Sequence, residues 1–253
     1  RYIVDLKRVP GLNGIRQNTD GSLSIGALTT MYTIETSPVI KKKYPFLAQS
    51  AAEVGSIQIR NRATVGGNMA NATPSADVAP SLIALNATAK IASVGGERTL
   101  PMEDFFRGPG QNAMNADEIL TEITIPKTLP QLVGEYIKFS PRDMMDLAYI
   151  GVAVAYTFSS DTKCSGVRIV LGAVAPTPIR AKNSEALLEG SFLTEELAIQ
   201  VGDEAARESK PISDVRSSAD YRRAMVGIMT KRALLNAAVG PAKSWVDRRD
   251  RRY

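Results

Sequence analysis

Apolar residues recur along this chain first with the period of strands and later with the period of helices. Tyr2 to Leu6 reads as a strand ended by the Pro10-Gly11 turn, and Asn18 to Gly21 reads as a second turn leading into the alternating run Ser22 to Ala27. Thr29 or Thr30 can cap a short helix through Ile34, and Pro45 to Val54 reads as another helix. Thr88 to Val94 and Glu97 to Leu100 alternate on either side of Gly95-Gly96, a strong hairpin signal. Pro101 to Phe106 looks like a helical turn whose Phe105 and Phe106 could stack on a planar ligand but more often serve as core, Arg107 to Asn112 like a Gly-Pro loop, and Glu118 to Pro126 like a strand stopped by its proline. The polar, proline-bearing stretch Lys127 to Val133 marks a domain boundary. Beyond it come strands at Gly134 to Ser140, Ile150 to Phe158 and Gly166 to Val174, the last two separated by a turn at Ser159 to Lys163. Helical spacing then holds over Ala181 to Leu188, Thr194 to Ser209 and Ala219 to Ala238, with Gly240 as a stop. Hairpin strands followed by helices predict an α+β chain of two lobes.

One stretch departs from this logic. In VGSIQIRNRATVGGNMANATPSADVAPSLIAL, Val54 to Leu85, Ser56 to Ile59 alternates toward a short strand, Arg60 and Arg62 bracket Asn61, and the strand is expected to break at Gly66-Gly67. Two glycines permit positive φ and leave no Cβ in the way, so their N–H groups could converge on an anion; the pair could equally be an ordinary tight turn. Asn68, Asn71 and Thr73 supply polar side chains, Pro74 and Ser75 close the loop, and Asp77 is placed to cap a helix carrying Val78, Leu82 and Leu85 on one face.

Composition removes several chemistries. With no histidine among 253 residues, triads, Cys-His pairs and zinc sites of the usual kinds are out. The single cysteine, Cys164, can form neither an internal disulfide nor an iron–sulfur cluster by itself, so any cluster must sit on a partner. No apolar run is long enough to span a membrane and no export signal is seen, which makes the cytoplasm the expected compartment. The net charge of +5 is dispersed, apart from Lys41-Lys42-Lys43 and a basic tail, and lacks the aromatic interleaving of nucleic-acid binders.

The segment RNRATVGGNMANATPSADVAP, Arg60 to Pro80, resembles the flavoprotein (medium) subunit of the molybdenum hydroxylases of the xanthine dehydrogenase and carbon monoxide dehydrogenase type. That resemblance implies a two-lobed FAD-binding fold with a C-terminal antiparallel sheet plus helices. It divides the chain into an FAD-binding domain over 1–127, a C-terminal flavoprotein domain over 134–240 and a basic tail over 241–253. By motif match Thr64, Val65, Gly66, Gly67 and Asn68 would hold the FAD pyrophosphate, Asp77 would reach the nucleotide, and Val54, Asn71, Leu120 and Lys138 would complete the flavin site. Leu120 is equally plausible as a core leucine, and Lys138 as a strand lysine facing solvent. RDMMDLA, Arg142 to Ala148, also resembles a family segment, with Asp146 before the next strand. An earlier glycine-rich phosphate loop of the family has no counterpart downstream of Arg1, so that half of the cradle is expected on an upstream segment or another chain.

The function implied is electron transfer in a multi-subunit oxidoreductase. Molybdopterin would sit on a large partner subunit and [2Fe-2S] clusters on a small one, with this FAD passing electrons to an external acceptor. A flavin-free scaffold subunit and a stand-alone FAD-dependent reductase are the alternatives. Flavin content separates the first, and the lack of a proton donor weighs against the second.

Overall fold

The computed structural model describes residues 4–128, 131–142 and 145–239. In its first half, strands β1 (Ile15–Gln17) and β2 (Leu23–Gly26) precede a helical stretch of α1 (Met31–Thr36), α2 (Pro38–Lys43), α3 (Pro45–Ala52), α4 (Ile57–Arg60), α5 (Val65–Ala70) and α6 (Val78–Ala84). Then follow β3 (Thr88–Ser93), β4 (Gly96–Pro101), a small ribbon of β5 (Phe106–Gly108) and β6 (Gln111–Asn112), and β7 (Ile119–Ile125). β1, β2, β7, β3 and β4 pair in that order as one antiparallel sheet, with β3 and β4 joined by the hairpin turn at Gly95-Gly96.

Local polar residues explain why the stretch between β2 and β3 breaks into short helices. Thr30, Ser37, Ser56 and Thr64 each accept a backbone N–H from the first turn that follows, so α1, α2, α4 and α5 start on their own caps, while α3 begins at Pro45 without a side-chain cap. Ser56 to Ile59 is therefore helical, against the strand its alternation predicted. Ile57 and Ile59 are 48% and 44% exposed, so the two apolar positions never marked a buried face. The Gly66-Gly67 pair is likewise not a turn. Both glycines lie in α5 without positive φ, because Thr64 caps the helix and starts it before them. The strand expected at Tyr2 to Leu6 is also absent where the chain is described: residues 1–3 lie outside the described residues, and Leu6–Arg8 is a single 3-10 turn. Arg107 to Asn112, read as a loop, contributes to the β5–β6 ribbon.

The second half places β8 (Val133–Phe139), β9 (Ile150–Phe158), β10 (Cys164–Gly172) and β11 (Ile179–Arg180) in an antiparallel sheet of order β11-β10-β9-β8. Helices α7 (Lys182–Leu188), α8 (Glu195–Glu208) and α9 (Ala219–Val239) follow. β9 is buried at every position from Ile150 to Thr157, the pattern of a strand covered on both faces. Tyr136, Ala153, Ala155 and Val170 join the core of the first half, while Ile137, Val152, Val154 and Tyr156 join a second core beneath α8 and α9. Small residues let the first half come close: a Cβ on Gly172 would stand 2.8 Å from Pro80 of α6, and one on Gly134 would stand 2.5 Å from Phe46 of α3. The tail from Gly240 onward lies outside the described residues.

Where α8 crosses α9, a Cβ on Gly202 would meet the Gly227 carbonyl oxygen at 2.5 Å, whereas one on Gly227 would meet that of Gly202 at 3.3 Å. Gly202→Ala is expected to cost about 1–3 kcal/mol, because a backbone atom must give way. Gly227→Ala should cost much less, since the helix gains roughly 0.5–1 kcal/mol from losing a glycine. Urea denaturation of the two variants checks the asymmetry; equal losses would contradict it.

Candidate functional site

The stretch from Thr64 to Asp77 is pinned on all sides. Gly66 seats α5 against the end of β2: its N–H donates to the Ala27 carbonyl at 2.8 Å, and a Cβ there would lie 2.6 Å from the Ala27 Cβ. At the far end of the helix the Asn112 side-chain amide donates to the Ala70 carbonyl at 2.7 Å, and the Gly110 N–H donates to the Ala72 carbonyl at 3.0 Å. Ala72 is held at φ 46°, a left-handed conformation that turns the chain out of the helix. From the C-terminal half, the Ala173 N–H donates to the Pro74 carbonyl at 2.8 Å.

The anion nest anticipated at the glycines does not form. The Val65 N–H donates to the Thr29 carbonyl, that of Gly66 to Ala27, that of Gly67 to the Thr64 hydroxyl and that of Asn68 to the Thr64 carbonyl. Four successive donors are thus spent inside the protein, three of them on holding the helix start in place. What remains at this surface is different in kind. Gly67 is exposed, with only the Thr64 Oγ1 within 4 Å of where its Cβ would be. The neighbouring Asn68 Oδ1 is buried and without a hydrogen-bond partner among the described residues. A ligand hydroxyl, or with the amide reversed an anionic oxygen, satisfies it. An unmatched amide oxygen beside an exposed glycine is compatible with the hydroxyls of a polyol chain.

Further on, Asp77 stands at the cap position of α6 but makes no side-chain cap bond. Its carboxylate turns inward instead. Tyr136 Oη donates to Oδ1 at 3.0 Å, and Lys138 Nζ donates to Oδ2 at 3.0 Å and to the Glu53 carbonyl at 3.0 Å. Burial pushes the Asp77 carboxyl from its ordinary 3.8 up to about 6, with the Glu53 charge adding to the rise and Lys138 and Tyr136 opposing it. Burial also drives the Tyr136 hydroxyl well above its usual range, so it stays a donor. Lys138 is 5% exposed, not the solvent-facing strand lysine that was one reading of the sequence.

Among the described residues, no hydrogen bond joins the remaining site candidates to this pair. Val54, next to Glu53, packs against the first core, and its carbonyl accepts from Arg60 Nη1 at 3.3 Å. Arg60 itself is buried in an ion pair with Glu35 at 2.7 Å, so this cation fixes α4 to α1 and does not face a ligand. Leu120 is buried in the core on β7, the strand beside α5. Phe105 and Phe106 are core, packed edge to face. Asn71 is exposed and donates to the Thr73 hydroxyl at 2.6 Å. Asp146 is paired with Arg142 at 3.6 Å.

Comparison with known proteins decides what this arrangement belongs to. The family described as FAD binding domain in molybdopterin dehydrogenase matches residues 1–128, and that described as CO dehydrogenase flavoprotein C-terminal domain matches residues 135–237. The chain belongs to this flavoprotein family. It is 35% identical over 237 residues to the carbon monoxide dehydrogenase medium chain of Hydrogenophaga pseudoflava, covering 94% of this chain and 81% of the relative. It is 33% identical over 238 residues to a xanthine dehydrogenase FAD-binding subunit of Escherichia coli O157:H7, with the same 94% and 81% coverage. Among solved structures, the H. pseudoflava carbon monoxide dehydrogenase lacking the Mo-pyranopterin moiety superposes with a TM-score of 0.88 at 35% identity, over 92% of this chain and 80% of that one. Quinoline 2-oxidoreductase from Pseudomonas putida 86 gives 0.86 at 32% identity, over 93% and 81%. The flavoprotein is an oxidoreductase subunit of α+β fold. Among its described residues no helix is long and apolar enough to cross a membrane.

Sequence reading of this flavoprotein missed Tyr136 and the Glu53 carbonyl. The signal for Tyr136 was Gly151 on the paired strand: a Cβ there would stand 3.0 Å from the tyrosine hydroxyl, so the glycine keeps its place open. The buried pair yields a pH-dependent expectation. Because the folded Asp77 value lies above the unfolded one, its contribution to stability is complete below about 3.8 and is lost as pH rises through about 6. Lys138→Met removes the leading opposing charge, raises the carboxyl further and leaves the anion uncompensated at high pH. The loss should be about 3–5 kcal/mol at pH 8 and distinctly smaller at pH 5, measured by urea unfolding. Equal losses at both pH values would show that Asp77 is not the group responsible.

Proposed function

We propose that this chain is the FAD-binding electron-transfer subunit of a multi-subunit molybdenum hydroxylase, working between [2Fe-2S] clusters on a small partner subunit and an external acceptor. Substrate would be transformed at a molybdopterin site on a large partner subunit. The observation that carries the reading is the exposed Gly67 and the orphaned Asn68 Oδ1, within a family-matched segment whose helix start is tied to Ala27 and Thr29. The proposed compartment is the cytoplasm, in keeping with a single cysteine that is buried and unpaired.

A division of labour among these residues goes with this reading. When bound, FAD supplies the redox chemistry by accepting and releasing electrons on its isoalloxazine ring. Asn68 offers the polar contact for the phosphate or ribityl chain, and Gly67 leaves the approach clear of a side chain. Thr64 and Val65 hold the helix start that presents them, and Gly66 sets its distance from β2. Asn71 and Asp77 bound the loop at either end. Val54 and Leu120 would back the site from the apolar core they belong to. Lys138 would act through Asp77 and the Glu53 carbonyl, setting where the Asp77 charge sits and how readily it is protonated. No described side chain here is arranged as a substrate acid or base, which suits a relay.

Gly67→Val and Gly66→Ala separate holding the ligand from holding the fold. At position 67 the backbone is ordinary helix and the one atom within 4 Å of an added Cβ is the Thr64 Oγ1 at 3.0 Å, a side chain that can give by a few tenths of an ångström, so the valine variant should fold while retaining little flavin. At position 66 a methyl collides with Ala27, so the alanine variant should lose about 1–3 kcal/mol of stability. The checks are the visible spectrum and extracted flavin per chain of the purified complex, alongside thermal unfolding. Stoichiometric flavin in Gly67→Val would sink the assignment of Gly67 and Asn68. An intact, folded wild-type complex without flavin would favour the scaffold role instead.

A further inference from the structure

Helix α5 is six residues long and two of them are glycines, so it has little propensity to hold its own shape and takes its geometry from what grips its two ends. The start is gripped by Ala27, Thr29 and the Thr64 cap. The end is gripped from the β5–β6 ribbon. Ala70 is the last residue of the helix, Asn71 its cap and Ala72 the left-handed residue that follows, and carbonyls at such an end find no partner within the helix itself. The Gly110 N–H takes the Ala72 carbonyl at 3.0 Å. The Asn112 side chain takes the Ala70 carbonyl, from 42 positions away in the sequence.

Asn112 uses both ends of its amide. Its Oδ1 accepts the Met114 N–H at 2.9 Å, which closes a local turn and settles which way round the amide lies; Nδ2 is then turned to the Ala70 carbonyl at 2.7 Å. The exit of the ribbon is braced in its turn. Arg98 Nη2 donates to the Ala113 carbonyl at 2.7 Å and to Glu118, whose Oε2 also accepts the Asn115 N–H at 2.6 Å. Asn112 therefore projects from a fixed base. On the helix that it grips, Asn68 and the cap residue Asn71 stand at i and i+3 and so share a face, the first with its orphaned Oδ1 and the second exposed. A helix end that moved would carry Asn71 away from Asn68, and this polar edge would no longer meet a ligand at both points.

We propose that Asn112 is a positioning residue for the polar chain of the flavin, acting through the Ala70 carbonyl to set where Asn68 and Asn71 stand. This role rests on the flavin reading above and adds to it a residue outside the signature segment, whose amide is spent on backbone atoms. An aspartate at position 112 keeps the acceptor for the Met114 N–H and turns an oxygen toward the Ala70 carbonyl. The change of equal size should therefore disturb the helix end more than outright truncation does.

FAD titration of the flavin-stripped complex containing this chain, with visible circular dichroism of the bound flavin and thermal unfolding of each flavin-free sample, tests it. The variants are Asn112→Asp, Asn112→Ala and, as a destabilised control remote from α5, Gly202→Ala. Asn112→Asp should weaken FAD roughly tenfold and alter the dichroic band, and Asn112→Ala should weaken it by less. Gly202→Ala should unfold at a lower temperature yet bind FAD as the wild type does. Wild-type affinity in both Asn112 variants, a greater loss in Asn112→Ala than in Asn112→Asp, or an equal loss in Gly202→Ala would overturn the proposal. Gly67→Val, carried alongside, separates this role from the reading beneath it. FAD lost in Gly67→Val but held at full strength in both Asn112 variants overturns the role of Asn112 alone, whereas a folded wild-type complex that binds no FAD overturns the flavin reading and this role with it.

Discussion

The structure depends on a charge pair placed where an interface of purely apolar residues would have been easier to pack. Asp77 stands at the start of α6 in the first half, and Lys138 lies on β8 in the second; their contact, with Tyr136 beside it, is buried at the seam. A carboxylate and an ammonium withdrawn from water gain little net stability. They do fix position, because each must find the other at hydrogen-bond distance for the seam to close. The Glu53 carbonyl is drawn into the same contact, which ties the end of α3, and Val54 after it, to the pair. Loop, helix and strand are thereby brought to a single point from three separate parts of the chain.

The surrounding packing makes that closure tight. Ala153 and Ala155 keep one face of β9 low, Gly172 admits Pro80, and Gly134 admits Phe46, so α3 and α6 lie directly on the second sheet. The opposite face is covered by α8 and α9. The second sheet is therefore an inner layer with both faces dry, and the hydrophobicity of Ile150 to Thr157 is its direct record.

Much of this was legible in the sequence wherever one force governed a segment. The β3–β4 hairpin, the long strands of the second sheet and the three C-terminal helices follow from periodicity and turn chemistry alone. Reading failed where caps decided between alternatives. Ser56 and Thr64 each convert a segment that alternates, or that carries two glycines, into a helix, and neither effect shows in hydrophobic periodicity. Glycine was also misread in kind. Gly66 is required by the approach of Ala27, not by a positive φ, and that contact joins positions too far apart in sequence to be foreseen. The charged positions show the same limit: Arg60 and Lys138 look alike as cations near a ligand segment, and only their partners, Glu35 and Asp77, show that both face inward.

The double-sided burial of the second sheet sets a short distance between events usually thought of as remote. Phe139, adjacent to Lys138, lies with its ring 6.2 Å from that of Tyr221 on α9, and Tyr156 donates to the Leu234 carbonyl of the same helix at 2.8 Å. One strand's thickness separates α9 from the buried carboxylate of Asp77. The two cores therefore share a single layer, and what packs on α9 is one strand away from what packs on α6.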